Sequence, residues 1–146
     1  MAARIEKKDF SFKFPLRVRY AEVDAQGIVF NANYLVYLDT AVTEYFRARG
    51  RTYAQFVKET GMDFHVVRCV VDYKRPARFD DEISICLRAG YAGVRVFWNA
   101  AIFRGDELLC TAELTYASVD TETGRPRIVD AALAADLGFT EKPRDD

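Results

Sequence analysis

The stretch Tyr20 to Tyr34, YAEVDAQGIVFNANY, holds the residues whose types and order could do chemistry. It sets Asp24 in a segment centred on Gly27, ahead of a predicted helix. The first turn of a helix leaves N–H groups without intrahelical acceptors and carries roughly half a positive charge. Such groups can hold an anionic oxygen as it develops on a carbonyl. A carboxylate beside them completes a minimal kit for acyl transfer, in which one group attacks or activates water and the other stabilises charge. The same acid could instead cap the helix or be a surface charge of the loop, and spacing alone leaves these readings open.

The elements that must position this stretch follow from periodicity. Asp9 to Tyr20 alternates, with Phe10, Phe12, Phe14, Leu16, Val18 and Tyr20 on one side, which predicts a strand. Pro15 lacks an N–H, so this strand is expected at a sheet edge or bent there. Asn33 to Arg49 reads as a helix about 26 Å long. Tyr34, Leu38, Ala41 and Tyr45 form one apolar row on it, and Leu35, Val42 and Phe46 a second. Asn31 or Asn33 can cap its start and Gly50 can end it. A shorter helix is predicted over Thr52 to Glu59, stopped by Gly61. The period then becomes two. Asp63 to Arg75 would present His65, Val67, Cys69, Val71 and Tyr73 on one face. Glu82 to Ala89, Val94 to Phe103 and Leu108 to Val119 follow, the last with Leu108, Cys110, Ala112, Leu114 and Tyr116 inward. Short turns at Gly90 to Gly93 and Gly105-Asp106 make these three an antiparallel meander. A last short helix is expected over Ala131 to Leu137, with loose ends at residues 1–8 and Glu141 to Asp146. The order defines an α+β fold, a long helix against a five-stranded antiparallel sheet. The other sheet face is mixed (Arg68, Ser84, Arg88, Arg95, Asn99, Thr111, Glu113), so subunit pairing is expected to cover part of it.

Composition narrows the function classes. The 146 residues fit one domain, 1–146, and half are hydrophobic, which argues against disorder. A net charge of -1 argues against a general nucleic-acid binder. No apolar run reaches the roughly 20 residues of a membrane span. The N-terminus MAARIEKKDF lacks a signal peptide's apolar stretch, so a cytoplasmic location is expected. Cys69, Cys86 and Cys110 are widely spaced and read as small buried hydrophobes, not as a disulfide framework. With one histidine, His65, no metal site is expected, and His65 is expected to pack in the core.

The run from Asp24 to Leu35, DAQGIVFNANYL, followed by Asp39, resembles the signature of the 4-hydroxybenzoyl-CoA thioesterase-like hotdog proteins. The spacing is approximately D-x-x-G-x-V-x-x-x-x-Y-L with an acid four residues on. Asp72-Tyr73 and RPARFDDE, Arg75 to Glu82, are similar to the strand and turn that follow the helices in that family, so the resemblance spans nearly the whole chain. It implies a hotdog fold, the long helix lying in a curved antiparallel sheet, and hydrolysis of an acyl-CoA thioester without a cofactor. It implies homodimers, often paired into tetramers, with active sites at subunit interfaces. The catalytic carboxylate carries over to Asp24, and the oxyanion donor to a backbone N–H near Asn31. Many relatives have histidine or tyrosine in the pair that is Phe30-Asn31 here. A backbone donor survives that change; a side-chain role does not.

Other residues compete for roles. Asp39 and Glu44 flank the apolar face of the long helix and read as ion pairs at the sheet border or, as in another hotdog branch, as a helix-borne catalytic acid. A dehydratase or hydratase of this fold would want a histidine in the loop before the helix, and none is there. Gly27 and Tyr34 are candidates to contact substrate, although Tyr34 suits the core equally. The phosphates of CoA need cations, which Arg provides through paired hydrogen bonds. Arg75, Arg78 and Arg95 are the candidates, with Arg125 and Arg127 behind them. The acyl group is expected to be aryl or short-to-medium chain. The rival reading is a non-catalytic protein that binds acyl-CoA or an acyl carrier and has no need of Asp24.

Overall fold

A computed structural model describes residues 3–142 of the chain. Its elements are β1 (Phe12–Arg17), α1 (Asn33–Ala48), α2 (Tyr53–Thr60), β2 (Met62–Tyr73), β3 (Glu82–Ala92), β4 (Arg95–Arg104), β5 (Glu107–Asp120), α3 (Ala131–Leu137) and β6 (Thr140–Glu141). The sheet order is β1-β3-β4-β5-β2, all antiparallel, and β6 adds a short parallel pairing to β3. The α+β hotdog fold is therefore present, with six strands where five were expected.

α1 lies against one sheet face because its apolar residues recur with the helical period. Tyr34, Leu38, Ala41, Val42, Tyr45 and Phe46 are buried, in one core with Ile83, Ile85, Leu87, Trp98 and Ile102. Leu35, assigned inward by the pattern, is exposed, and Tyr37 is buried in its place. Thr52 caps α2 reciprocally: its hydroxyl accepts from Gln55 N–H (3.1 Å), and Gln55 Oε1 accepts from Thr52 N–H (2.8 Å). Gly61 ends that helix with a left-handed φ of 67°.

Two bulges correct the alternation read from the sequence. β2 slips register between Val66 and Arg68. Met62 and Phe64 therefore face the core at its start, while Val71 packs inward near its end. His65 consequently points outward, its side chain 62% exposed and 3.4 Å from Asp63, rather than packing in the core. Cys69 is exposed too, whereas Cys86 and Cys110 are buried as expected. Burial pushes the Cys110 thiol up to about 12. The second shift pairs Ile102 with Cys110 but Phe103 with Leu108, leaving Leu109 as the extra residue. Leu109 joins the main core, and Leu108 turns to the other face with Phe10, Cys86, Ala101 and Phe103.

The chain's own ends cover more than the pattern predicts. Lys7–Asp9 form a single 3-10 turn, after which Phe10 is buried on the outer sheet face beneath the Arg88 guanidinium, 5.3 Å from its ring centre. Phe10 thus lies opposite the face of Phe12, Phe14 and Leu16, and it fills part of the surface expected to await a subunit. At the other end, β6 and the bond from Lys142 N–H to Tyr91 O (2.8 Å) tie down residues expected to be loose. Gly90, predicted in a turn, is inside β3; a Cβ there would lie 3.0 Å from the Thr140 carbonyl, so glycine makes room for β6. Residues 1–2 and 143–146 of the predicted loose ends lie outside the described residues.

Candidate active site

The segment between β1 and α1 folds into a small hairpin whose local chemistry is set by Asp24 and Gly27. Asp24 N–H donates to Ile28 O (2.9 Å), Gly27 N–H donates to Asp24 O (2.9 Å), and Asp24 Oδ1 accepts from Gln26 N–H (2.8 Å). The last bond is an Asx turn, which aspartate forms because its short side chain reaches two residues on. Gly27 has φ 77°, a left-handed value that costs an L-residue about 1–2 kcal/mol. Half of the Asp24 carboxylate is thereby committed to the turn. Among the described residues, Oδ2 has no protein partner.

The far side of the hairpin hooks onto the segment after β2. Val29 N–H donates to Ala77 O (2.8 Å), and Ile28 bridges Arg78. The base is closed by Glu22, whose carbonyl accepts from Phe30 N–H and from Asn33 Nδ2, both at 2.9 Å. The Glu22 carboxylate is buried (7% exposed) and accepts from Arg19 N–H (2.7 Å), from Arg19 Nη2 (2.7 Å) and from the Tyr37 hydroxyl (3.1 Å). Burial pushes Glu22 upward, but these hydrogen bonds together outweigh it and hold its carboxyl below the usual range. Burial, reinforced by the neighbouring Glu22 charge, raises Tyr37. Sequence reasoning missed Glu22 and Tyr37 as a unit. The only available signal was Tyr37 itself, an aromatic at the border of the helix's apolar face.

The start of α1 differs from the predicted cap. Ala32 occupies the cap position, and neither asparagine side chain caps the helix; Asn33 reaches back to Glu22 instead. The N–H groups of Asn33, Tyr34 and Leu35 are closed by the carbonyls of Phe30 (2.9 Å), Asn31 (3.3 Å) and Ala32 (3.2 Å). Among the described residues, the N–H groups of Asn31 and Ala32 have no acceptor.

Asp24 and Asn31 line one cavity of about 310 Å³ with Tyr34, Tyr73, Lys74 and Arg75. Tyr34 is both core and wall: it is 3% exposed, and its hydroxyl accepts from Ala77 N–H at 3.1 Å. Burial raises its hydroxyl above the ordinary tyrosine value. The Tyr34 and Tyr73 rings meet edge to face, with centroids 5.2 Å apart. The N–H groups of Lys74 (2.9 Å) and Arg75 (3.0 Å) both donate to the carbonyl of Leu109, the bulge residue of β5. That fixes the backbone and leaves two cationic side chains exposed beside the cavity. Lys74 was not singled out from the sequence, although its place beside Arg75 was a signal.

The remaining candidates lie apart from this cavity. Gly27 shapes the turn without lining the cavity. Arg78 is exposed nearby, its N–H donated to Asp81 (2.8 Å). Arg95 begins β4, whose other end carries Arg104, bonded to the Pro76 carbonyl (3.2 Å) beside the cavity. A ten-residue strand puts Arg95 about 30 Å from that end. Arg127 donates to Thr60 O (2.8 Å), near the start of β2, and Arg125 is exposed. Glu44 pairs with Arg47 (3.1 Å), three residues along the same helix. Asp39 is exposed and has no ion-pair partner among the described residues. No helix among the described residues is long and apolar enough to cross a membrane.

The sequence profile of the Thioesterase superfamily matches residues 26–111, and the chain belongs to that superfamily. Among relatives, it is 30% identical over 119 residues to the acyl-CoA thioesterase YbgC of Haemophilus influenzae, covering 81% of this chain and 88% of the relative. A probable thioesterase from Bartonella henselae superposes with a TM-score of 0.74 at 28% identity, covering 82% of this chain and 98% of the other. A hypothetical protein from Aquifex aeolicus shares the fold with a TM-score of 0.79 at 24% identity, covering 86% and 98%.

Proposed function

We propose that the chain hydrolyses an acyl-CoA thioester in the cavity between Asp24 and the start of α1. The observation that carries this is the meeting, in one cavity, of a half-free carboxylate with an unpaired N–H at a helix start. The Asn31 N–H receives the thioester oxygen as it becomes anionic. Asp24 Oδ2 acts on the carbonyl carbon in one of two ways. As nucleophile it bonds to that carbon, the C–S bond breaks, the CoA sulfur leaves and takes up a proton, and water then hydrolyses the mixed anhydride. As general base it takes a proton from the water that attacks, the C–S bond breaks, and the departing CoA sulfur takes up a proton. A single turnover in ¹⁸O-labelled water tests for the nucleophilic route, since label in Asp24 arises only when water attacks the aspartyl carbonyl of that anhydride. The H. influenzae relative's activity and the family membership support the same substrate class. The Tyr34 and Tyr73 rings in the cavity wall favour an aryl or short-to-medium acyl group over a long chain. Thiol release across aryl-, short- and medium-chain acyl-CoAs tests the reading, and absence of turnover across the panel would leave the non-catalytic binding alternative.

The phosphates of CoA fall to Arg75, with Lys74 beside it. Arg75→Ala is expected to raise KM by roughly tenfold to a hundredfold, the worth of a charge-assisted contact, while kcat stays nearly constant. The nucleotide is remote from the breaking bond, so its contacts are alike in ground and transition states. A short thioester lacking the nucleotide is the control; if it suffers equally, the phosphate site lies elsewhere.

Assembly belongs to the same proposal. The two sheet edges differ: β1 is six residues long with Pro15 at its middle, whereas β2 is twelve residues long with no proline. Val66 and Val67 are about half exposed on β2. A long apolar edge of unpaired N–H and C=O groups is a template for pairing. Pairing β2 with a second copy about a two-fold axis gives a closed dimer and brings the Tyr73 end, with its cavity, to the interface. Two such dimers then form the tetramer. Light scattering at micromolar concentration should give the mass of two or four chains; a single-chain mass would overturn this part of the proposal.

A further inference from the structure

We propose that Tyr73 is a positioning residue for the reaction, a role that rests on the reading of Asn31 as the oxyanion donor. Its hydroxyl donates to the Asn31 carbonyl at 3.0 Å, joining the end of β2 to the start of α1. Peptide groups are planar and trans, so the carbonyl of one peptide and the N–H of the next residue point in opposite directions. Two peptides meet at Asn31. The carbonyl of the first, Phe30 O, is held by Asn33 N–H (2.9 Å). The carbonyl of the second, Asn31 O, is held by Tyr34 N–H (3.3 Å) and by Tyr73. Holding both carbonyls aims the Asn31 and Ala32 N–H groups away from them, and among the described residues these two have no acceptor. The bond from Tyr34 is the longer of the two on Asn31 O and is local. Tyr73 is the side chain that references this peptide to the sheet, and so to Lys74, Arg75 and the cavity that the sheet end helps to line.

Its burial separates this role from a purely structural one. Tyr73 is 52% exposed, and the Asn31 carbonyl keeps Tyr34 N–H if the hydroxyl is removed. No buried group is orphaned, so folding depends little on the bond, while the aim of the Ala32 N–H depends on it directly and that of the Asn31 N–H through the Cα that the two peptides share. The Tyr73 ring stays against Tyr34 in a phenylalanine variant, so the cavity wall is kept.

The test measures kcat, KM and melting temperature for Tyr73→Phe beside wild type and Asp24→Asn, on the best acyl-CoA. Misplacing one oxyanion donor costs up to about 10²–10³ in kcat, and partial loss of aim is expected to cost tenfold or more. KM and melting temperature should match wild type. A kcat within about twofold of wild type overturns the role if Asp24→Asn is nevertheless inactive; if Asp24→Asn is also active, the reading of the whole site fails with it. A fall in melting temperature with kcat per folded enzyme unchanged, or a rise in KM alone, would make Tyr73 a structural or binding residue and equally overturn the proposal.

Discussion

Replacing Asp24 with asparagine is expected to lower kcat by about 10²–10⁴, the usual cost of removing a general base. The fold should be unaffected. Asparagine is nearly isosteric, and its oxygen can still accept the Gln26 N–H that Asp24 Oδ1 accepts at 2.8 Å. The turn and the left-handed Gly27 are then retained, and only the charge and the second oxygen's basicity are lost. Steady-state kinetics on the best acyl-CoA, with melting temperature as the folding control, reads the effect. Retention of more than about a tenth of wild-type kcat/KM would remove Asp24 from the mechanism and make Asp39 the next acid to test.

The largest stability effect is expected at Phe46. It is 1% exposed, and its ring lies 5.0 Å from Tyr53, 5.1 Å from Phe56, 6.3 Å from Phe64 and 6.4 Å from Trp98, centroid to centroid. One side chain thus joins α1 to α2, β2 and β4. Phe46→Ala removes the lost ring's transfer energy and leaves a cavity that four elements must collapse together to fill, for a loss of about 3–5 kcal/mol. Domains of this size are stable by only about 5–15 kcal/mol, so the variant should approach the unfolding threshold. Trp98, the chain's one tryptophan and fully buried, provides the fluorescence signal for a denaturant titration. A loss under about 1 kcal/mol would mean that the aromatic cluster is not the stabilising hub described.

The parts of this protein that were legible in its sequence are those set by local periodicity and local turn chemistry. α1 could be read because Tyr34, Leu38, Ala41 and Tyr45 recur with the helix, and the break around Gly27 because glycine takes the left-handed position cheaply, though the Asp24–Gly27 turn inside it could not. The failures come from single inserted residues and long-range contacts. A period-two reading cannot see a bulge, so one extra residue in β2 turned His65 outward, and one in β5 exchanged Leu108 for Leu109. Glu22 sits beside the motif but matters through Tyr37, on the helix, and Tyr73 matters through Asn31, 42 residues away. Neither pairing leaves a trace in spacing. The arginines divided for the same reason: Arg75 and Arg95 look equivalent in a list of cations, and only the strand order puts one beside the cavity and the other at the far end of β4.

The most direct measurement of the account's central claim is the crystal structure of Asp24→Asn saturated with the acyl-CoA that wild type turns over best. The slowed variant should hold intact thioester, with its carbonyl oxygen about 2.7–3.1 Å from the Asn31 N–H nitrogen. Its acyl group should lie against Tyr34 and Tyr73, and its phosphates beside Lys74 and Arg75. A thioester seated elsewhere, or one whose carbonyl turns away from the start of α1, would contradict the account.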